Sequence, residues 1–158
     1  MKRLMIWMVT ATVGLALPAC SGGGGKVSAS QESSREPVVS AHAGEAISWE
    51  SAWDAAMERA KKEKKPVLVD FYADWCVWCK TLDSTTYKDP AVAKLLAEKM
   101  VPLKVDVDHG GRELARRWGV SGLPTILVLS PDGKELGRIP GYLPAKDFIS
   151  EVQKFAGI

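Results

Sequence analysis

The chain has 158 residues, of which 46% are hydrophobic, 25% charged and 8% aromatic. That balance suits one globular domain with short appendages, and it excludes a collagen-like, low-complexity or acidic disordered chain. The formal net charge is +2, and loss of Lys2 and Arg3 would leave 19 basic side chains facing 19 acidic ones, which is no basic field for nucleic acid. Three cysteines are too few for a disulfide-dense scaffold.

Met1-Lys2-Arg3 is a short positive segment, and Leu4 to Leu17 follows without a charge over 14 residues. A bilayer span needs about 20 apolar residues, so this stretch reads as the hydrophobic region of a signal peptide. Leu17-Pro18-Ala19-Cys20 resembles the box at which bacterial lipoproteins are cut and acylated on cysteine. The other reading is an ordinary secretory cut near Ala19 that leaves Cys20 free. Residues 1–19 are thus expected to be a lipoprotein signal peptide and Cys20 the lipidated residue. Residues 20–47 would form the anchored linker, opened by the run Gly22 to Gly25, which has no side chains to pack. Ser21 fits sorting to the outer membrane in a cell that has one. The expected location is the periplasm or extracytoplasmic face, held to the membrane by lipid.

The domain is expected over 48–158. Trp49, Ala52, Trp53, Ala56, Met57 and Ala60 follow helical spacing, with Ser48 as the N-cap and Pro66 as the stop. Val67 to Tyr72, VLVDFY, reads as a buried strand. Cys76-Val77-Trp78-Cys79 then opens a helix. Asp89-Pro90 starts another helix, with an N-cap and a proline at the first helical position. Val101 to Val107 is a strand, Arg112 to Trp118 a short helix closed by Gly119, and Thr125 to Leu129 a strand. The turn Ser130-Pro131-Asp132-Gly133 leads into an antiparallel strand, Glu135 to Ile139, and Ala145 to Phe155 is the last helix. The order α, β, α, α, β, α, β, β, α predicts an α/β fold, a central mixed sheet with helices on both faces and an extra helix at its N-terminal end.

A Cys-x-x-Cys pair opens zinc sites as well as redox sites. Zinc requires further ligands, and the chain offers only His42 in the linker and His109 in a turn. No metal and no cofactor are therefore expected. Cys76 would sit at a helix N-terminus behind a buried strand, where unpaired N–H groups stabilise a thiolate. Cys79, three residues on, lies on the same face within disulfide reach. The first cysteine would attack and the second, more covered, would resolve the mixed disulfide. Asp70 interrupts an apolar strand, and a buried carboxyl there should have a raised pKa.

DFYADWCVWCK, residues 70 to 80, resembles the active-site segment of the thioredoxin superfamily, within it the C-terminal thioredoxin-like domain of the DsbD-type thiol:disulfide interchange proteins. Gly119-Val120-Ser121-Gly122-Leu123-Pro124-Thr125 resembles the cis-proline loop. Pro131 to Glu135 and Gly141-Tyr142 resemble the hairpin and the glycine before the last helix. The resemblance implies that Cys76 is the nucleophile, Cys79 the resolving thiol and Asp70 a proton-transfer carboxylate. It implies a cis bond before Pro124, with Leu123 offering backbone groups to an extended substrate. Trp75 would shield the pair, and Val77 and Trp78 would border the substrate.

Val77-Trp78 carries no histidine, and without a neighbouring imidazolium the pair tilts toward reduction. The expected function is an extracytoplasmic thiol:disulfide reductase. Its partners would be protein or peptide disulfides and a membrane electron donor of DsbD/CcdA type. With no added dimerisation segment it is expected to be a monomer. Alternatives are a disulfide oxidase or isomerase on the same fold, or a redox-inert binding or metal-handling module.

Overall fold

The computed structural model describes residues 46–158; the signal segment 1–19, Cys20 and the linker as far as residue 45 lie outside them. The elements in chain order are α1 (Trp53–Glu63), β1 (Val67–Tyr72), α2 (Val77–Ser84), a 3₁₀ turn (Thr86–Lys88), α3 (Pro90–Lys99), β2 (Val101–Asp106), α4 (Arg112–Arg117), β3 (Thr125–Leu129), β4 (Glu135–Pro140) and α5 (Ala145–Ala156). The four strands form one sheet in the order β2-β1-β3-β4. β1 runs parallel to β2 and antiparallel to β3, and β3 pairs antiparallel with β4. The sheet is therefore mixed, as the alternation of sequence elements predicts.

Alternation along β1 divides the core. Val67, Val69 and Phe71 join Leu103, Val105, Leu127 and Leu129 on one face, covered by Ala56 and Ala60 of α1 and Ala115 of α4. Leu68 joins Ile126, Val128 and Ile139 on the other face, covered by Leu82, Leu96, Phe148 and Val152 from α2, α3 and α5. Phe71 and Phe148 are the largest fully buried side chains of the two layers. Burial of each contributes about 1.5–3 kcal/mol relative to exposure. Asp70 lies between Val69 and Phe71, so it points into the α2/α3 layer.

α3 begins as its sequence dictates: Asp89 accepts from the N–H groups of Ala91 and Val92, with Pro90 at the first turn. The first helix departs from expectation. It starts at Trp53, not near Ser48, and Ala52 caps it without a side-chain bond. Glu50 instead runs beside β2, its N–H donating to the Pro102 carbonyl at 2.8 Å and its carbonyl accepting from Lys104 N–H at 3.0 Å. The outer edge of β2 has backbone groups to satisfy, and pairing with them outweighs helical spacing. Trp49 and Trp53 consequently pack on opposite faces of the sheet. Trp49 meets Tyr87 at 4.9 Å and Trp53 meets Trp118 at 5.8 Å. The 3₁₀ turn after α2 is a further element that periodicity did not reveal.

Candidate active site

The C-terminal end of β1 delivers the chain into Ala73 to Trp75, and α2 begins immediately after Cys76. Cys76 is the helix N-cap: its Sγ accepts from the Cys79 N–H at 3.1 Å. The structure holds the two cysteines as a disulfide, with Cα atoms 5.3 Å apart. Cys76 is 5% exposed and Cys79 2% exposed, so both are nearly covered in the disulfide form. Both pack with Ala73 against Tyr72, Val107 and Leu123. A thiolate on Cys76 would keep the helix N–H donor that its sulfur already accepts, and a helix N-terminus lowers a thiol pKa.

Leu123 and Pro124 lie in the loop before β3, joined by a cis peptide bond. That loop therefore stands beside the disulfide, as the sequence segments imply. Around the pair the surface is apolar. Trp75 and Val77 are exposed, and so is Trp78. The Trp75 indole N–H donates to Asp108 Oδ2 at 2.7 Å. Asp108 belongs to a turn organised by Asp106, whose Oδ1 accepts from the Asp108 and His109 N–H groups and whose Oδ2 lies 2.8 Å from His109 Nδ1. Gly111 closes that turn where nothing larger fits, because a Cβ would sit 2.4 Å from the Asp106 carbonyl oxygen. His109 thus serves the turn. Among the described residues no cluster of three or more His, Cys, Asp or Glu side chains is placed to hold a metal ion.

Behind α2 lies a buried charged cluster. Asp70 is 1% exposed. Its Oδ2 is 3.2 Å from Lys104 Nζ, which also pairs with Asp83 of α2. Asp70 Oδ1 and the Tyr87 hydroxyl are both buried without a hydrogen bond of normal geometry, but they act on each other: Asp70 helps to raise the Tyr87 pKa, and Tyr87 pulls the Asp70 pKa down. Burial pushes the Asp70 carboxyl up from 3.8 to about 6, against the opposing pull of the Lys104 charge. Burial acts to lower the Lys104 pKa, but Asp70 and Asp83 outweigh it and hold the ammonium above the usual lysine value. The Lys104 ammonium also lies 4.7 Å from the Tyr72 ring centroid, 5.2 Å from Trp49 and 5.3 Å from Tyr87, so ring faces complete its surroundings.

Trp75 to Cys79 surround the start of α2, Leu123 packs against the pair and is joined to Pro124 by the cis bond, and Asp70 lies within β1 on the face covered by α2 and α3. Cys20 lies outside the described residues. Sequence reading missed Lys104, Asp83 and Asp108. Lys104 becomes visible only once β1 and β2 are seen to be parallel neighbours, in a register that makes Asp70 and Lys104 direct partners. Asp83 and Asp108 had no signal, since each is one acidic residue among many on a polar surface.

Strand order, the disulfide at the start of α2 and the facing proline loop are now accompanied by a family match: residues 53–156 match the thioredoxin-like domain family. The chain belongs to that family. It is similar to the thiol:disulfide interchange protein DsbD of Actinobacillus pleuropneumoniae, 45% identical over 91 residues, which are 54% of this chain and 15% of that protein. It is also similar to DsbD of Vibrio vulnificus strain CMCP6, 40% identical over 102 residues, 61% of this chain and 17% of the relative. The chain thus spans about one sixth of the length of these curated relatives. Among solved structures, the oxidised C-terminal domain of Neisseria meningitidis DsbD aligns with a TM-score of 0.57 and 30% identity, covering 68% of this chain and 98% of that one. A Thermus thermophilus thioredoxin aligns with a TM-score of 0.63 and 32% identity, covering 70% of this chain and 87% of that one. The protein is a thioredoxin-fold relative of the DsbD C-terminal domain, with an oxidoreductase-like cysteine pair. No helix among the described residues is long and apolar enough to cross a membrane.

Proposed function

We propose that the protein is an extracytoplasmic thiol:disulfide reductase, tethered by lipid on Cys20 and recharged by a membrane dithiol donor of the DsbD/CcdA kind. The observation that carries this reading is the Cys76–Cys79 disulfide at the N-terminus of α2. The reduced form starts the reaction. The Cys76 thiolate attacks one sulfur of a substrate disulfide, forming a mixed disulfide and expelling the other substrate sulfur as a thiolate, which takes a proton. Cys79 gives up its proton and attacks Cys76 Sγ. The second substrate thiolate leaves, and the disulfide seen in the structure is regenerated. Substrate is reduced by two electrons and the protein oxidised by two.

Asp70 is the proton acceptor for Cys79 in this scheme. Its raised pKa, about 6, matches proton exchange near neutral pH better than an ordinary carboxylate would. Leu123 supports substrate docking: among the described residues neither its N–H nor its carbonyl bonds within the chain, so both remain for an extended peptide. The direction rests on Val77-Trp78, which places no positive charge beside Cys76.

Trapping tests the assignment. Cys79→Ala should accumulate mixed disulfides through Cys76 in cells, and the untrapped protein should equilibrate at a potential of roughly −210 to −280 mV. A potential above about −160 mV would make it an oxidase. Intact mass of membrane-extracted protein tests the anchor, and an unmodified Cys20 would remove it.

A further inference from the structure

Trp78 is 58% exposed although it sits next to the resolving cysteine. Its ring stacks on Tyr142, with centroids 5.7 Å apart and planes at 29°. The two residues come from different parts of the chain. Trp78 is in the first turn of α2, and Tyr142 follows β4 directly after Gly141, whose φ of 105° is open to glycine. The Tyr142 hydroxyl lies 3.5 Å from Thr85 Oγ1, which ties the ring to the end of α2.

Between these rings and the Leu123-Pro124 loop is a cleft of about 250 Å³, lined by Trp78, Leu123, Pro124, Gly141 and Tyr142. No charged side chain lines it. On the other side of Leu123 is a second groove of about 370 Å³, which includes Trp75, Asp108, Arg112 and Arg116 and so carries both signs of charge. Leu123 is the ridge between them. Cys76 is nearly covered, and Leu123 packs directly against the pair, so a disulfide that approaches the sulfur past Leu123 meets both grooves. A substrate chain then extends into the aromatic cleft on one side and over the charged groove on the other. The cleft borders the exchange site through Leu123, which packs against the cysteine pair, and is sized for one side chain, not for a helix or a second folded copy.

We propose that the Trp78–Tyr142 cleft is a specificity subsite for one aromatic or large aliphatic side chain, held within two residues of the reacting cysteine in an extended peptide or unfolded-protein disulfide. This rests on the proposed disulfide-exchange activity. The stacked rings offer an apolar wall, and aromatic side chains bind such walls edge-on or by offset stacking. Burying part of such a side chain gives about a tenfold preference.

The test is single-turnover exchange. The protein is reduced with dithiothreitol, desalted and mixed with either of two short peptide disulfides, identical except for Phe or Ser beside each cysteine. Released peptide thiols are separated and counted over time. The Phe peptide should react about tenfold faster with the parent protein. Trp78→Ala and Tyr142→Ala should bring the ratio of the two rate constants to about one to two, whatever their absolute rates, and Tyr142→Phe should restore it. Equal rates for the two peptides in the parent would overturn the subsite, as would an undiminished ratio in both alanine variants. A small aromatic disulfide run in parallel separates the two levels. If it reacts and the ratio is one, only the subsite is wrong. If neither it nor the peptides react, the exchange activity is wrong and the subsite falls with it.

Discussion

Replacing Asp70 with asparagine should stabilise the oxidised protein, and by an amount that depends on pH. The carboxyl is fully buried, and its pKa in the fold is about 6, against 3.8 for an ordinary aspartate. Below about pH 3.8 it is protonated in both the folded and the unfolded chain. Between that value and about 6 the unfolded chain ionises while the folded one keeps its proton. The folded state then binds more protons, so its stability falls as pH rises. Above about pH 6 the loss is complete. At about 1.4 kcal/mol per pH unit, the interval corresponds to about 3 kcal/mol. Asparagine has nearly the same shape and does not titrate. Urea unfolding of the oxidised parent and of Asp70→Asn should therefore show a stability difference that grows in favour of the variant by about 3 kcal/mol from pH 3.5 to pH 7.5. Other carboxylates titrate in both proteins and cancel. The oxidised form keeps cysteine titration out of the comparison. A difference that stays flat, or that shrinks as pH rises, would refute the reasoning. It would mean that the Lys104 ion pair offsets or outweighs burial, so that Asp70 ionises no later in the folded protein than in the unfolded chain. Slower disulfide exchange by Asp70→Asn near neutral pH, with the fold intact, is the functional counterpart.

Lys104→Met should cost about 3 kcal/mol at pH 7.5, because it strands the Asp70 charge, and clearly less at pH 4, where Asp70 takes up a proton; equal losses at the two pH values would argue against it. Tyr87→Phe removes a buried hydroxyl that faces Asp70 without a hydrogen bond of normal geometry. Its stability should stay within about 1 kcal/mol of the parent or exceed it, and a larger loss in urea unfolding would show that the phenol is bonded after all.

Most of the architecture was legible because it rests on local signals. VLVDFY is short, β-branched and flanked by a helix stop and a turn, and it is β1 from Val67 to Tyr72. Asp89-Pro90 is a start signal with two independent parts, and α3 begins there. The first helix misled for an instructive reason. Trp49 fits the spacing of Trp53 and Ala56, but spacing does not register that an outer strand edge lies within reach of Glu50. The exchange pair and its proline loop were legible through motif and order. The charged cluster behind them was only half so. Asp70 announces itself by interrupting an apolar run. Lys104 requires knowledge of which strand lies beside β1 and in what register, and that is tertiary information. Asp83 enters only because the end of α2 turns toward that pair.

The surroundings of the disulfide differ on its two sides, and the difference separates two kinds of defect. In front, Trp75, Val77 and Trp78 leave apolar surface exposed, which does nothing for the stability of the fold. Behind, Asp70, Lys104 and Asp83 bring charge into the interior, where replacement by apolar residues would serve stability at least as well. Neither arrangement is explained by folding. The proposed exchange function gives each a use: the front would offer a dry contact to a chain that comes and goes, and the back would offer a group that can accept and return a proton. Substitutions in front should therefore change which disulfides react and leave the pH profile in place. Substitutions behind should move the pH profile for every disulfide alike. A front substitution that shifts the pH midpoint, or a back substitution that reorders peptide preference, would show that the two sides are coupled through α2, the one element that carries residues of both.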